Sequence, residues 1–451
     1  MGKGTTLVYC DRTDIGRRRS NNQDSMAVLP PSSPQQFRVR GWLFLVADGM
    51  GAHAAGEMAS AIAAERVPLI YEKNAPASPP LALRRSFKQS NGEIHGKGES
   101  AAEFKGMGTT CTALAILPRG ALVGHVGDSR VYRIRGRTID QLSRDHSLVW
   151  ELENAGTVSR EQAGSVPKNI ITRSMGPHAD VEVDLEGPFG VEDGDVFLLC
   201  SDGLSGQVAD EEIGGFAAAL EPRDAAAALV GLALVRGAPD NVTVIVARAG
   251  PEEASKVAPG DEPWPMSEGD PVPRQPQAYP WGMLLVSAGA LLIALVINPW
   301  SKLMEAACVA SDLVRAACLA GTVLAALVFM ASLLWSVLGF LVPESARARV
   351  LAPGSRLGRG PYRSYDCAPT KRLLEGIVAS VESAADGLPE AGRNRMIARL
   401  TDVRRHVAAA EYPEALAAVA EAIGIYARSV EASRSDDTAH GGDQTVPHRS
   451  A

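Results

Sequence analysis

Five short apolar runs in the first 250 residues meet an aspartate at one end, and this recurrence constrains the fold more than any other feature. The aspartates are Asp24, Asp48, Asp128, Asp202 and Asp240, each beside a Gly, Ser or Asn. A single Asp-Gly after an apolar run, as in FLVADGMG, is typical of a hairpin turn. Turns do not require aspartate so regularly. We therefore expect the five carboxylates to belong to one functional site at the ends of the strands.

Carboxylates that cluster in space raise one another's pKa and cannot all stay ionised without a cation. Sites made only of oxygen atoms suit Mg²⁺ or Mn²⁺, which retain several bound waters. A carboxylate that bridges two such ions would hold them about 3.5 to 4 Å apart and activate a shared water at neutral pH. Gly49 would let its backbone carbonyl approach an ion as well, because glycine lacks a β-carbon.

The composition of the chain excludes some classes of binding partner and of metal site. The chain has 451 residues, of which 46% are hydrophobic, and a net charge of −7, so it is long enough for two or three domains. It has no basic surplus and is not expected to bind nucleic acid. The six cysteines show no CxxC spacing. This favours reduced thiols in a cytosol over disulfides or a zinc site.

Two uncharged apolar segments, 281–300 and 316–342, are each long enough to cross a bilayer as a helix. Buried helices of a soluble core are the alternative, but these would normally carry polar residues every few positions. Arginines follow the second segment closely, and the N-terminus has no apolar signal segment. We therefore expect a transmembrane hairpin in the inner membrane with both termini in the cytoplasm. The competing topology has one true span, with 281–300 lying in the membrane interface.

The remaining segments differ in composition. Residues 1–250 alternate short strands with helices, 251–280 form a linker rich in Pro and acidic residues, and 343–368 form a basic, loop-like juxtamembrane segment. Between 369 and 432, apolar residues recur at helical spacing, which predicts a small domain of three amphipathic helices with an unidentified protein partner. The polar tail at 433–451 is predicted to be disordered.

Eight motifs within residues 5–249 resemble the bacterial branch of the PP2C (PPM) metal-dependent protein serine/threonine phosphatases. In chain order they are RSNNQDS, ADGMG, GTT, GDSRVY, DHS, ITRSMG, CSDGL and DNVTVIV. The resemblance implies an α+β fold, an antiparallel β-sandwich flanked by helices, with metal ions at one end of the sheets. It also implies hydrolysis of phosphoserine and phosphothreonine on proteins, which would oppose a bacterial serine/threonine kinase.

The resemblance assigns metal ligands by matching motif. Asp48 would bridge two Mn²⁺ or Mg²⁺ ions, and the Gly49 carbonyl would bind one of them. Asp202 and Asp240 would bind the other ion. Asp24 would contribute through a bound water. These assignments imply that a water activated by the two ions attacks the phosphorus atom directly, without a covalent phosphoenzyme.

Further positions depend on the same resemblance. Asp128 matches a residue that, with Asp202, holds a third and weaker ion in bacterial members. Arg19 falls where the family places a phosphate-binding guanidinium, although the residues alone would favour a solvated surface charge. Gln23 replaces a glutamate of many members, and Met50 stands where eukaryotic members often have a histidine proposed as general acid. Protonation of the leaving group is therefore expected to come from a metal-bound water.

A protein of another class is the alternative. The fold could serve as an inactive sensor or binding module that signals through the membrane hairpin and the helical tail. Such a protein would usually have lost one or more metal carboxylates. Asp24, Asp48, Asp202 and Asp240 are all present in this chain, and this favours the enzyme.

Overall fold

The computed structural model describes residues 6–257 except 52–54, 75–76 and several positions between 160 and 169, then 261, 263–266, isolated positions between 289 and 330, and 350–440. The chain forms two compact units, one made of Met1–Pro265 with Leu351–Ala451 and the other of Met266–Val350. The predicted membrane segments, 281–300 and 316–342, lie almost entirely outside the described residues. No helix in the described part of the chain combines the length and apolar character needed to cross a membrane.

Strands and helices alternate along the chain. The strands are β1 (Val8–Asp14), β2 (Asp24–Leu29), β3 (Trp42–Met50), β4 (Gly108–Thr109), β5 (Cys111–Leu117), β6 (Gly120–Val126), β7 (Arg130–Arg135), β8 (Thr138–Gln141), β9 (Asp184–Phe189), β10 (Val196–Cys200), β11 (Val242–Arg248), β12 (Trp264–Pro265), β13 (Val350–Leu351) and β14 (Arg363–Asp366). The helices are α1 (Pro34–Val39), α2 (Ala55–Lys73), α3 (Pro79–Ser100), a 3₁₀ turn (Ala102–Phe104), α4 (Leu148–Asn154), α5 (Asp202–Ser205), α6 (Asp210–Ala219), α7 (Pro222–Val235), α8 (Lys371–Ala385), α9 (Glu390–Ala408) and α10 (Tyr412–His440).

Most strands belong to two sheets. One sheet has the order β1-β11-β10-β7-β8-β14, and the other has the order β2-β3-β5-β6-β9, with β4 beside β3. Neighbouring strands pair antiparallel in both. Phe44 and Leu114 of one sheet share a buried cluster with Phe197 and Ile245 of the other, so the sheets pack face to face. The predicted antiparallel β-sandwich with flanking helices is confirmed.

Alternate residues of a central strand face different cores, because successive side chains of a strand point to opposite faces. In β10, Phe197 and Leu199 face the other sheet. Leu198 and Cys200 instead pack in the cluster that includes side chains of α6 and α7. Since both faces are covered, the whole strand is apolar. Its end is therefore an abrupt boundary, at which the chain turns into Asp202 and α5.

The C-terminal region packs on the sandwich. The helical spacing predicted three helices, and α8, α9 and α10 confirm it. Leu416 and Ile423 of α10 lie in one buried cluster with Leu229 of α7. The segment predicted to be a basic loop contains β14, which pairs with β8 and extends the sheet. Arg363 in β14 also forms an ion pair with Glu153 of α4 at 2.6 Å.

The tail differs from its prediction. Helix α10 continues to His440, so the first part of the segment predicted to be disordered from 433 is helical. The earlier residues of this helix pack on the sandwich, and the packed part supports continuation of the helix into polar sequence. Residues 441–451 lie outside the described residues.

The shared core predicts a specific loss of stability. Ile423 is fully buried, and a β-carbon added at Gly231 of α7 would lie only 2.5 Å from its Cγ2 atom. We expect Ile423→Ala to lower the free energy of unfolding by about 2–5 kcal/mol. Ile397→Ala in α9, where the residue is 47% exposed, should cost less than about 0.5 kcal/mol. Urea denaturation of the full chain measures both, and equal losses would contradict a core shared with α10.

Candidate active site

The ends of the strands bring the five predicted aspartates together. Asp24 and Asp48 are directly opposite one another in the register of β2 and β3. Asp202 begins α5 immediately after β10. Burial raises the pKa of Asp48, and the carboxylates of the other four aspartates raise it further through their charges. The structure therefore places the predicted metal ligands in one cluster, and their individual roles stay predictions.

Two threonines of the GTT motif hold the backbone of Asp48. Its N–H donates to the Thr110 hydroxyl at 2.8 Å, and its carbonyl accepts from the Thr110 N–H at 2.8 Å and from the Thr109 hydroxyl at 2.9 Å. The Thr110 hydroxyl also lies 2.8 Å from that of Ser129, next to Asp128. These bonds leave the Asp48 side chain as the only part of the residue available to a ligand.

Close backbone packing explains the glycine after Asp48. A β-carbon at Gly49 would lie 2.1 Å from the Gly56 carbonyl oxygen and 2.7 Å from that of Gln23. The Gly49 N–H donates to the same Gln23 carbonyl at 3.1 Å. Any side chain would separate β3 from α2, so the predicted access of a metal ion to the Gly49 carbonyl depends on glycine.

Asp24 is linked to the Asp202 loop through Ser201. The Ser201 hydroxyl donates to Asp24 Oδ2 at 2.8 Å and accepts from the Thr243 N–H at 3.0 Å. A β-carbon at Gly203 would lie 1.9 Å from the Asn241 carbonyl oxygen, so α5 and the start of β11 are in direct contact. This contact joins the loops of Asp202 and Asp240, and the bond from Ser201 to Asp24 links them to the other sheet.

Asn241 fixes the loop between β1 and β2, and the sequence analysis did not single it out. Its Oδ1 accepts from the Gln23 N–H at 2.8 Å. Its Nδ2 donates to the carbonyls of Ile15 at 2.9 Å and Asn21 at 3.0 Å. The only signal in the sequence was its place beside Asp240 in the DNVTVIV motif.

The DHS motif supports the loop that carries Asp128. The Gly127 N–H donates to His146 Nδ1 at 3.0 Å, and the His146 N–H donates to the Gly127 carbonyl at 2.7 Å. Because Nδ1 accepts a hydrogen bond, the neutral ring carries its proton on Nε2, which lies 3.1 Å from Asp184. Burial lowers the pKa of His146, which favours this neutral form. The histidine therefore positions Asp128 and does not face the carboxylate cluster as an acid.

Burial dominates the electrostatics of the cluster. It raises the pKa of Asp24 to about 7, with smaller contributions from Asp202 and Asp240. It also raises the pKa of Asp48 well above the ordinary value, followed by the effect of Asp24. Burial and the neighbouring Asp202 raise the pKa of Asp128 in the same way. The cluster therefore favours bound protons or a cation over a set of bare charges.

Unpaired carboxylate oxygen atoms indicate whether the cluster suits bound protons or a bound cation. Oδ1 of Asp24, Asp128 and Asp202 is buried and has no hydrogen-bond partner among the described residues. Buried carboxylate oxygens are costly unless a donor or a cation satisfies them. Within the described part of the chain, no group of three or more Asp, Glu, His or Cys side chains is arranged so that it could hold a metal ion. Water and backbone carbonyls would have to supplement the carboxylates, and Mg²⁺ and Mn²⁺ accept such mixed oxygen ligands.

Arg19 lies at the rim of the cluster. Its Nη2 is 2.7 Å from Asp240 Oδ2, and the two side chains are 47% and 35% exposed. The hydrogen bond to Asp240 raises the pKa of the guanidinium, and Asp48 and Asp202 contribute. Arg19 is therefore paired with the site and is not an isolated surface charge. Its planar fork of donors can also face an anion that enters from solvent.

Comparisons with known proteins match the N-terminal half of the chain to protein phosphatases. The model of the protein phosphatase 2C family matches residues 16–231. Protein phosphatase PhpP of Streptococcus pneumoniae is 36% identical over 248 residues, which are 54% of this chain and 97% of PhpP. Serine/threonine protein phosphatase PstP of Mycobacterium tuberculosis is 36% identical over 243 residues, which are 53% of this chain and 45% of PstP.

Solved structures of bacterial phosphatases are also similar. The Mycobacterium tuberculosis phosphatase PstP/Ppp is 36% identical with a TM-score of 0.49, over 54% of this chain and 99% of that one. A catalytic domain of PstP in complex with two manganese ions is 34% identical with a TM-score of 0.47, over 54% of this chain and 98% of that one.

This chain belongs to the protein phosphatase 2C family. It is a protein serine/threonine phosphatase, as its eight motifs predicted. The family model ends at residue 231, so α8, α9 and α10 lie beyond the part that defines the family.

Proposed function

We propose that this phosphatase uses two Mn²⁺ or Mg²⁺ ions to hydrolyse phosphoserine and phosphothreonine on cytoplasmic proteins, and that it opposes a serine/threonine kinase at the membrane. The observation that carries the proposal is the buried carboxylate cluster with unpaired oxygens next to Arg19. An all-oxygen donor set suits hard divalent ions. The PP2C family membership supports the same chemistry.

Asp48, Asp202 and Asp240, with the Gly49 carbonyl, would hold the two ions, and Asp24 would contribute through water. Asp128 and Asp202 would hold a third. When bound, the ions supply a water nucleophile at neutral pH and neutralise charge on the phosphate oxygens.

The chain's own residues supply positioning. Asn241 holds the loop that precedes Asp24 and carries Arg19, so the guanidinium stays within reach of the cluster. Arg19 would exchange its contact with Asp240 for the equatorial oxygens of the phosphoryl group, where charge must be stabilised during transfer.

Nucleophilic catalysis by cysteine does not fit this site. Cys111 and Cys200 are fully buried in β5 and β10. Burial raises the pKa of the Cys200 thiol to about 12, so the reactive thiolate is not formed near neutral pH. Water is therefore the nucleophile that the site favours. The alternative of an inactive sensor is not favoured, because all the proposed ligand carboxylates are present in the cluster.

Asp202→Asn tests the metal assignment. The amide keeps the shape of the side chain but removes the charge, so we expect the fold to persist and activity to fall more than about 100-fold, beyond the loss typical of an outer-shell partner. The assay is Mn²⁺-dependent phosphate release from a phosphothreonine peptide by the full chain, with and without chelator. Asp11→Asn, an exposed carboxylate in β1, is the matched control. Parent-like activity of Asp202→Asn would show that the metal assignment is wrong.

We also propose that segments 281–300 and 316–342 form a hairpin across the inner membrane. Its support comes from the sequence bias of arginines after the second segment. A second support is the pairing of β12 with β13 in a two-stranded sheet. In sequence, β12 precedes the two apolar segments and β13 follows them. Their pairing therefore places the start and the end of the apolar region side by side. An even number of crossings satisfies that return, whereas a single crossing does not.

Single cysteines at positions 260, 308 and 440 test this topology in spheroplasts. A membrane-impermeant maleimide should label only position 308, which lies in the short connection between the two apolar segments. Positions 260 and 440 should react only after permeabilisation. Labelling of 440 from outside, or protection of 308, would contradict the hairpin.

A further inference from the structure

A cleft of about 780 Å³ lies between the loop that follows β1 and the C-terminal helices. The loop side includes Ile15, Arg17 and Arg19, and the helical side includes Leu388, Tyr426 and Arg434. We call it the arginine cleft. Arg19 joins it to the carboxylate cluster, since the same guanidinium contacts Asp240. A ligand in the cleft would therefore lie directly beside the proposed phosphate position.

Helix α10 holds the loop side of the cleft in place. Arg434 Nη1 donates to both carboxylate oxygens of Asp14, at 3.0 and 3.1 Å, and Asp14 is only 11% exposed. Arg434 also donates to the Gly16 carbonyl. Arg17 donates to the hydroxyl of the buried Tyr426 at 2.9 Å. The cleft is thus built by two parts of the chain that are more than 400 residues apart in sequence.

The lining of the arginine cleft is cationic. Among the residues that the structure describes, the lining contains three arginines and no aspartate or glutamate. Arg434 and Arg19 have carboxylate partners outside the lining, Asp14 and Asp240. Arg17 donates to a neutral hydroxyl, which does not cancel its charge. Its side chain is exposed and has no ion pair with the described residues, so it can meet an anion without breaking an ion pair in this part of the chain.

The rest of the lining suits a peptide. Val235, Leu388 and Val430 provide apolar surface, and Ser383 and Ser433 provide hydroxyl groups. A mixed lining of this kind matches an extended chain, which presents apolar and polar side chains together with backbone amides. Arg17 and Arg19 are two positions apart, so their backbones are separated by at most about 7 Å. Their ligands would therefore be close in the sequence of a bound peptide.

We propose that the arginine cleft binds the segment of the protein substrate next to the phosphorylated residue, and that Arg17 recognises an acidic side chain in that segment. The acidic group is a carboxylate or a second phosphate, since both offer the oxygens that a guanidinium binds. This inference rests on the proposed function, because it takes Arg19 as the contact to the phosphate that is removed. It gives the C-terminal helices a part in substrate choice, as the second wall of the cleft.

Two phosphothreonine peptides that differ only in flanking residues, Glu in one and Gln in the other, test the proposal on the full chain with Mn²⁺. We expect the parent to prefer the Glu peptide, and Arg17→Gln to raise KM for that peptide by about tenfold while kcat changes less than twofold, since a hydrogen bond to a charged group is lost. KM for the Gln peptide should hold within twofold. Arg17→Lys should restore part of the preference.

Arg18→Gln is the matched control, because Arg18 is the exposed neighbour of Arg17 and carries the same charge. It should behave like the parent with both peptides. An equal rise in KM for both peptides in Arg17→Gln, or no rise, would overturn the proposal.

Binding in the presence of chelator separates this inference from the proposed function. Fluorescence anisotropy of the labelled peptides measures their affinities without turnover. If the Glu peptide binds more tightly to the parent and loses that advantage in Arg17→Gln, the cleft assignment stands even if no Mn²⁺-dependent hydrolysis is found. A third peptide, with phosphoserine in place of the flanking Glu, should bind at least as tightly as the Glu peptide. Equal affinities for the Glu and Gln peptides would overturn the cleft assignment regardless of activity.

Discussion

The crowding of five carboxylates at the ends of the strands, where burial disfavours their charged forms, is the constraint on which the site depends. Burial and neighbouring charges raise the pKa of Asp48, and burial raises that of Asp24 to about 7. A protein would lose stability by collecting such groups unless a cation or protons compensated for them. The surrounding contacts hold the aspartates in place without neutralising them. Threonine hydroxyls and backbone groups bind the main chain of Asp48, and the Ser201 hydroxyl binds only one oxygen of Asp24.

The β-sandwich brings the ends of several strands together, and the aspartates at these ends form the cluster. Its antiparallel register places Asp24 opposite Asp48, and the direct contact between Gly203 and Asn241 joins the loops of Asp202 and Asp240. The C-terminal helices add a further layer, because α10 shares a core with α7 and anchors the loop that leads to Arg19. The carboxylate cluster and the C-terminal region are thus connected through one loop.

Several of these features were predictable from sequence, for physical reasons that differ. The aspartates stood out because each lies at one end of an apolar run. Strands that are covered on both faces have long apolar runs, so a charged residue at the end of one is easy to recognise. The three C-terminal helices followed from apolar spacing, but an amphipathic stripe reveals that a face is buried and not what covers it. Strand β14, RSYD, carries too few apolar residues to be recognised as a strand. Asn241 and Ser201 act through hydrogen bonds that one side chain makes between loops, and such contacts leave no periodic signal in the sequence.

Titration of Mn²⁺ into the metal-free full chain tests the central claim most directly. Isothermal titration calorimetry near pH 6.5, in two buffers with different ionisation enthalpies, reports both bound ions and released protons. Because the pKa values of Asp24 and Asp48 are raised, the account predicts that Mn²⁺ binding displaces protons into the buffer. It further predicts that Asp48→Asn loses most of the binding and of the proton release. Parent-like affinity and parent-like proton release in Asp48→Asn, or no binding of Mn²⁺ to the parent, would contradict the account.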